Sequence, residues 1–380
     1  MRSPVVTALV GMVALAIPMG VGRFAFTPIL PMMQADAGLS ITAGGWLAFA
    51  NYAGTLGGAL AAMTVRAPLP AAIRGGLVAI GVATVAMGLE GRFAVWIALR
   101  ALAGAATGWA LPLASAWALE RLALRPPALR ATVFAGYGVG IAVAGGVCLA
   151  LMQVATRSRT AWLILGGLSL VLTAVVWRYF ADDGGRSPVA RAELAAPARW
   201  DGESARLVIC YGAFGFGYII PATFLPAMAK EIVPDPRLFG WAWPVFGAAA
   251  AVSAVYAARL SERLSHRAIW IGGHLVMALG VVVPLVVPGL QGIIAAALLV
   301  GGTFMVVTMA GMQEARKAAG AHARELMAAM TSAFALGQIL GPVSVSLLIQ
   351  STGSFAPALI LAAAVLVVSA ISMQRKEGKA

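Results

Sequence analysis

Gly20-Val-Gly-Arg-Phe-Ala-Phe-Thr-Pro-Ile-Leu-Pro31 is matched without a gap by Gly215-Phe-Gly-Tyr-Ile-Ile-Pro-Ala-Thr-Phe-Leu-Pro226. The same offset carries Trp46 onto Trp241. A glycine- and proline-punctuated apolar stretch that returns once in the other half of a chain points to an internal duplication. The longest polar stretch, Ala181 to Ala205, lies between the copies and carries Asp182, Asp183, Gly184, Gly185, Ser187, Pro188, Pro197, Asp201 and Glu203. Such a composition reads as a linker.

Outward from these copies the chain is apolar almost throughout. Of its 380 residues 61% are hydrophobic and 11% charged, and mean hydropathy is +0.90. A helix that spans a bilayer needs about 20 mainly apolar residues. Such runs recur at approximately 5–31, 41–63, 75–89, 93–119, 131–153, 161–180, 206–229, 239–258, 268–288, 292–313, 326–349 and 356–373. Unbroken runs such as Leu163 to Val176 exclude a membrane β-barrel, whose strands alternate apolar and polar residues. Met1 to Gly20 has the outline of a signal peptide, but its apolar run continues to Met33, so a retained first span is expected.

The formal charge of +13 does not point to nucleic acid, because the Lys and Arg residues are scattered between spans rather than gathered on one patch. They are also scattered unequally. Connectors on the side of both termini hold Arg2, Arg66, Arg74, Arg121, Arg125, Arg130, Arg178, Arg186, Arg191, Arg199, Arg206, Arg259, Arg263, Arg267, Arg316, Lys317, Arg324, Arg375, Lys376 and Lys379. The opposite side holds Arg92, Arg157, Arg159, Lys230 and Arg237. By the positive-inside rule both termini are cytoplasmic, which requires an even number of spans and supports twelve. The expected architecture is all-α and integral to the membrane: a six-helix bundle over 1–180, a cytoplasmic linker over 181–205 and a second bundle over 206–380.

Among ionisable residues only Arg23, Arg100 and His274 fall inside spans, while the acidic residues lie in connectors, tails or span edges. A charge at the bilayer centre costs roughly 2.5 to 3.5 kcal/mol even on a lenient scale. Arg23 and Arg100 both lie about 10 to 12 Å from the same membrane face. They can form a cationic site for a carboxylate or phosphate, or else snorkel and pair with Asp36 or Glu90. Further polar and aromatic candidates for substrate contact are Asn51, Tyr52, Trp109, Tyr137, Tyr218, Trp243 and Gln338, each of which equally suits interhelical hydrogen bonding. His274 reads as a packing or lipid-interface residue. Cys148 and Cys210 sit in apolar runs without metal-ligand or disulfide spacing, and neither a metal nor a cofactor is expected.

Three local segments point to a family. Arg100-Ala-Leu-Ala-Gly104-Ala-Ala-Thr-Gly108 resembles the fourth-helix motif of the major facilitator superfamily. Ala257-Ala-Arg-Leu-Ser-Glu-Arg-Leu-Ser-His-Arg267 resembles that superfamily's charged loop, while its counterpart Thr64 to Arg74 is degenerate. Gly136, Gly140, Gly145 and Gly146 are similar to the fifth-helix motif of its antiporters, with Ile141 where the motif has proline. Gly22-Arg-Phe-Ala-Phe-Thr-Pro-Ile-Leu-Pro31 followed by Gly44-Gly-Trp-Leu-Ala-Phe-Ala-Asn-Tyr52 resembles the YbfB/YjiJ-like subgroup.

The resemblance implies a secondary transporter working by alternating access, with helices 1 and 4 facing a central cavity. Gly104, Gly108, Gly140, Pro221, Gly341 and Pro342 then become candidate hinges, and Arg259, Arg263 and Arg267 candidate gating residues. The expected substrate is a small organic anion, with efflux of neutral or amphiphilic compounds as the alternative. A non-transporting scaffold or sensor, or an intramembrane enzyme, is the alternative of another class. No nucleophile–base pair or metal motif supports the enzyme. Expected partners are the lipid bilayer and the solute, with a coupling proton as an option. A monomer in a bacterial inner membrane is expected.

Overall fold

The computed structural model describes residues 3–63, 68–180, 201–233 and 235–374. Most of the expected linker, 181–200, lies outside the described residues, as do basic positions 2, 66, 186, 191, 199, 375, 376 and 379.

The described chain forms twelve membrane helices: α1 (Pro4–Asp36), α2 (Ile41–Ala62), α3 (Leu69–Leu89), α4 (Phe93–Arg121), α5 (Pro127–Gln153), α6 (Ser158–Trp177), α7 (Gly202–Ile232), α8 (Ala242–Leu260), α9 (His266–Val286), α10 (Gly289–Ala319), α11 (Ala323–Thr352) and α12 (Ala356–Gln374). Eleven are long and apolar enough to cross a bilayer by composition. The twelfth, α2, is diluted by Gly44, Gly45, Asn51, Gly54 and Gly58, which lie against other helices, and by the exposed Gly57.

Several helices outrun the apolar segments. α3 begins at Leu69 rather than 75, α1 continues to Asp36 rather than 31, and α10 reaches Ala319, so that Glu314 lies within it. The reason is physical: backbone hydrogen bonding continues into the headgroup region, where a charged side chain is tolerated, whereas an apolar run stops at its first charge. α7 likewise begins at Gly202, inside the expected linker, because the Asp201 carboxylate accepts from the Ser204 N–H at 2.7 Å and caps it.

Packing follows the duplication. α2 lies on α4, α3 on α6 and α1 on α5. Six helices later, α8 lies on α10, α9 on α12 and α7 on α11. The halves meet where α5 packs on α8, α2 on α11 and α1 on α7. Glycine sets the closest seams. A side chain at Gly104 would strike the Asn51 carbonyl and one at Gly108 the Thr55 carbonyl, so α2 and α4 touch backbone to backbone. The α5–α8 seam is built the same way, with Gly138 against Ala251, Gly145 against Pro244 and Gly247 against Ala142. Lipid-facing positions are filled by exposed aliphatics such as Val171, Val175, Leu279 and Val368.

The polar contacts described between the halves lie on the side away from the termini, called here the far side. Thr27 donates from its hydroxyl to the Ala222 carbonyl at 2.9 Å, and Lys230 donates to the Pro31 carbonyl at 2.9 Å. Ser346 donates to the Thr42 carbonyl at 3.3 Å. The halves are thus joined at the far side.

Candidate functional site

Helix α1 is not continuous. It is α-helical over Pro4–Ala16, widens to a π-helical turn over Ile17–Arg23, and resumes as α-helix over Phe26–Asp36 after a break at Phe24. Pro18 lies at the start of the π-helical turn and Pro28 in the first turn of the resumed helix, and each lacks the N–H that an uninterrupted ladder needs. The Phe24 N–H reaches back five residues to the Met19 carbonyl. Polar side chains from α2 and α4 hold the carbonyls at the break. Asn51 Nδ2 donates to Gly22 O and Arg100 O, both at 3.0 Å. Arg100 donates through Nη2 to Arg23 O at 3.0 Å and through Nη1 to Gly22 O at 3.4 Å.

Those bonds separate the two arginines. Arg100 is buried, both of its terminal nitrogens are spent on backbone carbonyls, which leaves only its Nε without a partner among the described residues, and the Phe26 ring lies 5.0 Å from it. Arg23 is buried as well, at 6% exposure, but its Nε and Nη2 have no partner among the described residues. These two nitrogens form one edge of the guanidinium, with parallel N–H bonds spaced to meet both oxygens of a carboxylate or phosphate. The cation sits between the Phe24 ring at 5.2 Å and the Tyr52 ring at 4.9 Å. Neither carboxylate considered as its partner is available. Asp36 accepts from the N–H and hydroxyl of Ser158, and Glu90 pairs with Arg92 at 3.2 Å.

Around Arg23 both halves contribute phenols: Tyr52 of α2 in direct contact, and Tyr137 of α5 and Tyr218 of α7 farther off but within electrostatic range of the guanidinium. Tyr218 stands at the position that the duplication equates with Arg23. Its ring stacks on Phe304 at 4.8 Å and Phe334 at 5.5 Å, and its hydroxyl accepts from Gln338 Nε2 at 2.6 Å. The Tyr52 hydroxyl is 2.9 Å from the Thr223 hydroxyl across the interface of the halves. Trp243 stacks on Phe246 at 4.7 Å and tilts onto Phe24 at 5.7 Å, with a buried indole N–H that has no partner among the described residues. Arg23, Tyr52, Tyr137, Tyr218, Trp243 and Gln338 therefore belong to one neighbourhood, and Asn51 frames it.

Other candidates lie elsewhere. Trp109 donates its indole N–H to the Ala72 carbonyl at 2.9 Å and ties α4 to α3. Gly104 and Gly108 belong to the α2–α4 seam, Gly140 meets Ala16 of α1, and Gly341 meets Ile219 of α7. Pro221 falls inside α7 and Pro342 inside α11. Arg259 and Arg263 are exposed at the end of α8. Arg267 pairs with Glu203 and, at 3.0 Å, with Glu314, binding α7, α9 and α10 within one half. His274 does not face lipid: it is fully buried, accepts from the Trp270 indole N–H at 2.9 Å and lies against Phe214. The packing half of the expectation holds, and the lipid-interface half rests on the peripheral place that the family resemblance gives the ninth helix.

Thr223, Thr27, Phe24, Phe304 and Phe334 escape a reading of sequence alone. A signal exists for Thr27, because Pro226 leaves the carbonyl four residues earlier, at Ala222, without its helical donor. A separate cavity of about 640 Å3 opens on the far side of the first half, lined by Asp36, Glu90, Arg157 and Trp162 among others, away from Arg23.

A family model described as an uncharacterised MFS-type transporter, YbfB, matches residues 15–374. No curated protein matches the chain significantly in sequence. Among solved structures, a crystal structure of a variant of the nucleoside transporter NupG superposes with a TM-score of 0.73 at 13% identity, covering 97% of this chain and 99% of that one. At that identity the likeness is one of fold.

Proposed function

This chain belongs to the YbfB-type family of major facilitator superfamily transporters, a multi-pass membrane protein that carries a small solute and not an enzyme, and from that premise we propose that its solute is a small organic anion, moved by alternating access. One observation carries the reading: a buried guanidinium at the meeting of the two halves presents a bidentate donor edge with no protein acceptor among the described residues. Leaving a charged donor unmet costs well above the about 1 to 3 kcal/mol of a neutral one, so an anion that meets both N–H groups binds at a pre-oriented and desolvated point. The phenols of Tyr52, Tyr137 and Tyr218 add donors for the same group, and the Phe24, Trp243 and Phe304 rings suit a flat apolar body. Both termini face the cytoplasm in this reading, and the membrane is a bacterial inner membrane.

The test is a thermal-shift screen of purified protein against monocarboxylates, dicarboxylates, phosphate esters and uncharged nucleosides, followed by counterflow in proteoliposomes. A ligand at 100 times its dissociation constant stabilises by about 2.7 kcal/mol. Stabilisation and saturable counterflow by one class of anion, lost in Arg23→Gln, supports the proposal. The second reading is a neutral ring-bearing solute, favoured by the aromatic stack on Tyr218. Nucleosides that stabilise both wild type and Arg23→Gln equally would replace the anion with it.

A further inference from the structure

Tyr52 stands between the candidate anion site and the contacts that close the far side. The face of its ring lies 4.9 Å from the Arg23 guanidinium, and its hydroxyl bonds Thr223 of α7 at 2.9 Å. Thr223 adjoins Ala222, whose carbonyl accepts from Thr27 of α1. Pro226 cannot supply the N–H that this carbonyl would take in a regular helix, so the Thr27 hydroxyl satisfies a group that α7 leaves open. Two adjacent residues of α7 are therefore held from the first half, one by Thr27 directly and one by the side chain beneath Arg23.

We infer that Tyr52 couples occupancy of the Arg23 edge to release of the α1–α7 contacts on the far side, an inference that rests on the anion reading of the site. An anion on Nε and Nη2 neutralises the charge that attracts the Tyr52 ring, and it offers the phenol a stronger acceptor than the Thr223 hydroxyl. The two hydroxyls are 2.9 Å apart and either can donate, so the contact is lost through the turn of the ring that brings the phenol's single hydrogen to the anion. Thr27 and Lys230 then hold α7 without Tyr52, and the halves part more readily at the far side. With no anion bound, the Tyr52–Thr223 bond keeps that side shut, which prevents an unloaded carrier from opening there.

The experiment places spin labels at Ala37→Cys and Ser351→Cys, two exposed far-side positions on opposite halves, in the full chain with Cys148 and Cys210 replaced by alanine. The probe is benzoate, a carboxylate on a flat ring. In the wild-type background benzoate should lengthen the distance between labels. Tyr52→Phe keeps the ring but not the hydroxyl. It should show the long distance without benzoate and no further change at saturating benzoate, with affinity by thermal shift lowered about tenfold because the phenol no longer donates to the carboxylate. Thr223→Val should copy it in distance. Thr27→Val, which loosens the same contact without touching the anion site, should lengthen the distance yet keep a response to benzoate. A Tyr52→Phe protein with wild-type distances, with and without benzoate, overturns the inference. If neither benzoate nor any other anion of the screen stabilises or moves the wild type while Tyr52→Phe still lengthens the distance, the anion reading falls and the far-side role of Tyr52 stands.

Discussion

Arg23 and Arg100 are one contact apart and carry the same group, yet their surroundings give them opposite mutational behaviour. Arg23→Lys keeps a charge but replaces a planar fork by a point donor, so anion affinity should fall at least tenfold, the effect of losing about 1.5 kcal/mol or more of charge-assisted hydrogen bonding. Its thermal midpoint without ligand should stay close to that of wild type. Arg100→Lys should do the reverse: the midpoint drops by several degrees because the Arg23 carbonyl loses its guanidinium donor and the Gly22 carbonyl keeps only Asn51, and affinity of the folded fraction changes little. Calorimetric titration beside a melting curve separates the two. Sequence alone treats these residues as a pair, since both are intramembrane cations at one depth. The distinction depends on where α1 loses its regular hydrogen bonds, and Gly22-Arg-Phe has no residue pattern that announces a π-helical turn. Pro18 and Pro28 bracket the break without locating it.

For the helices, close approach decides tolerance. Gly104 and Gly57 both lie within long helices, but a β-carbon at buried Gly104 meets the Asn51 backbone while one at exposed Gly57 meets nothing within 4 Å. Gly57→Ala should therefore be neutral or mildly stabilising, as Ala is favoured over Gly in a helix by roughly 1 kcal/mol. Gly104→Val should leave little folded protein by fluorescence-detected gel filtration, since overpacking costs about 1 to 3 kcal/mol even where neighbours can shift, and backbone here cannot. Helix α7 adds a pH effect at its start. Hydrogen bonds from Ser204 hold the Asp201 carboxyl below its usual pKa. A depressed carboxyl stabilises above its ordinary range near pH 4 and loses that contribution as pH falls through it. Protection of the Ser204 and Ala205 amides, taken relative to their intrinsic exchange rates, should fall from pH 5 to pH 3, and Asp201→Asn should flatten that dependence. The helices themselves were legible because apolar runs of spanning length leave few alternatives. Their ends were not, because α10 and α3 carry charge or proline where a hydrophobic count stops.

At the scale of the molecule, the count of basic residues by side predicts topology independently of helix packing. A green fluorescent protein fused after Ala380 should fluoresce, and an alkaline phosphatase fused there should be inactive, as expected for a cytoplasmic end. Strong phosphatase activity at that fusion would invert the orientation. The division into related halves was readable from Gly20–Pro31 and Gly215–Pro226, and the packing of α1 on α5 and α7 on α11 repeats it. Much of the candidate site was readable too, because polar residues in membrane helices are few. What joins the halves was not, since Thr27, Thr223 and Lys230 are ordinary residues until a partner helix presents a carbonyl or hydroxyl to them.

The α5–α8 seam bears on speed. Gly138, Gly145 and Gly247 bring main chain against main chain where one half must swing on the other. A contact made of backbone has no rotamers to unlock, so rocking about it carries little entropic barrier from the side chains themselves. The seam acts as a bearing rather than a clasp. A methyl group placed at Gly247 should accordingly lower turnover number more than it changes ligand affinity, a friction term that equilibrium binding would not register.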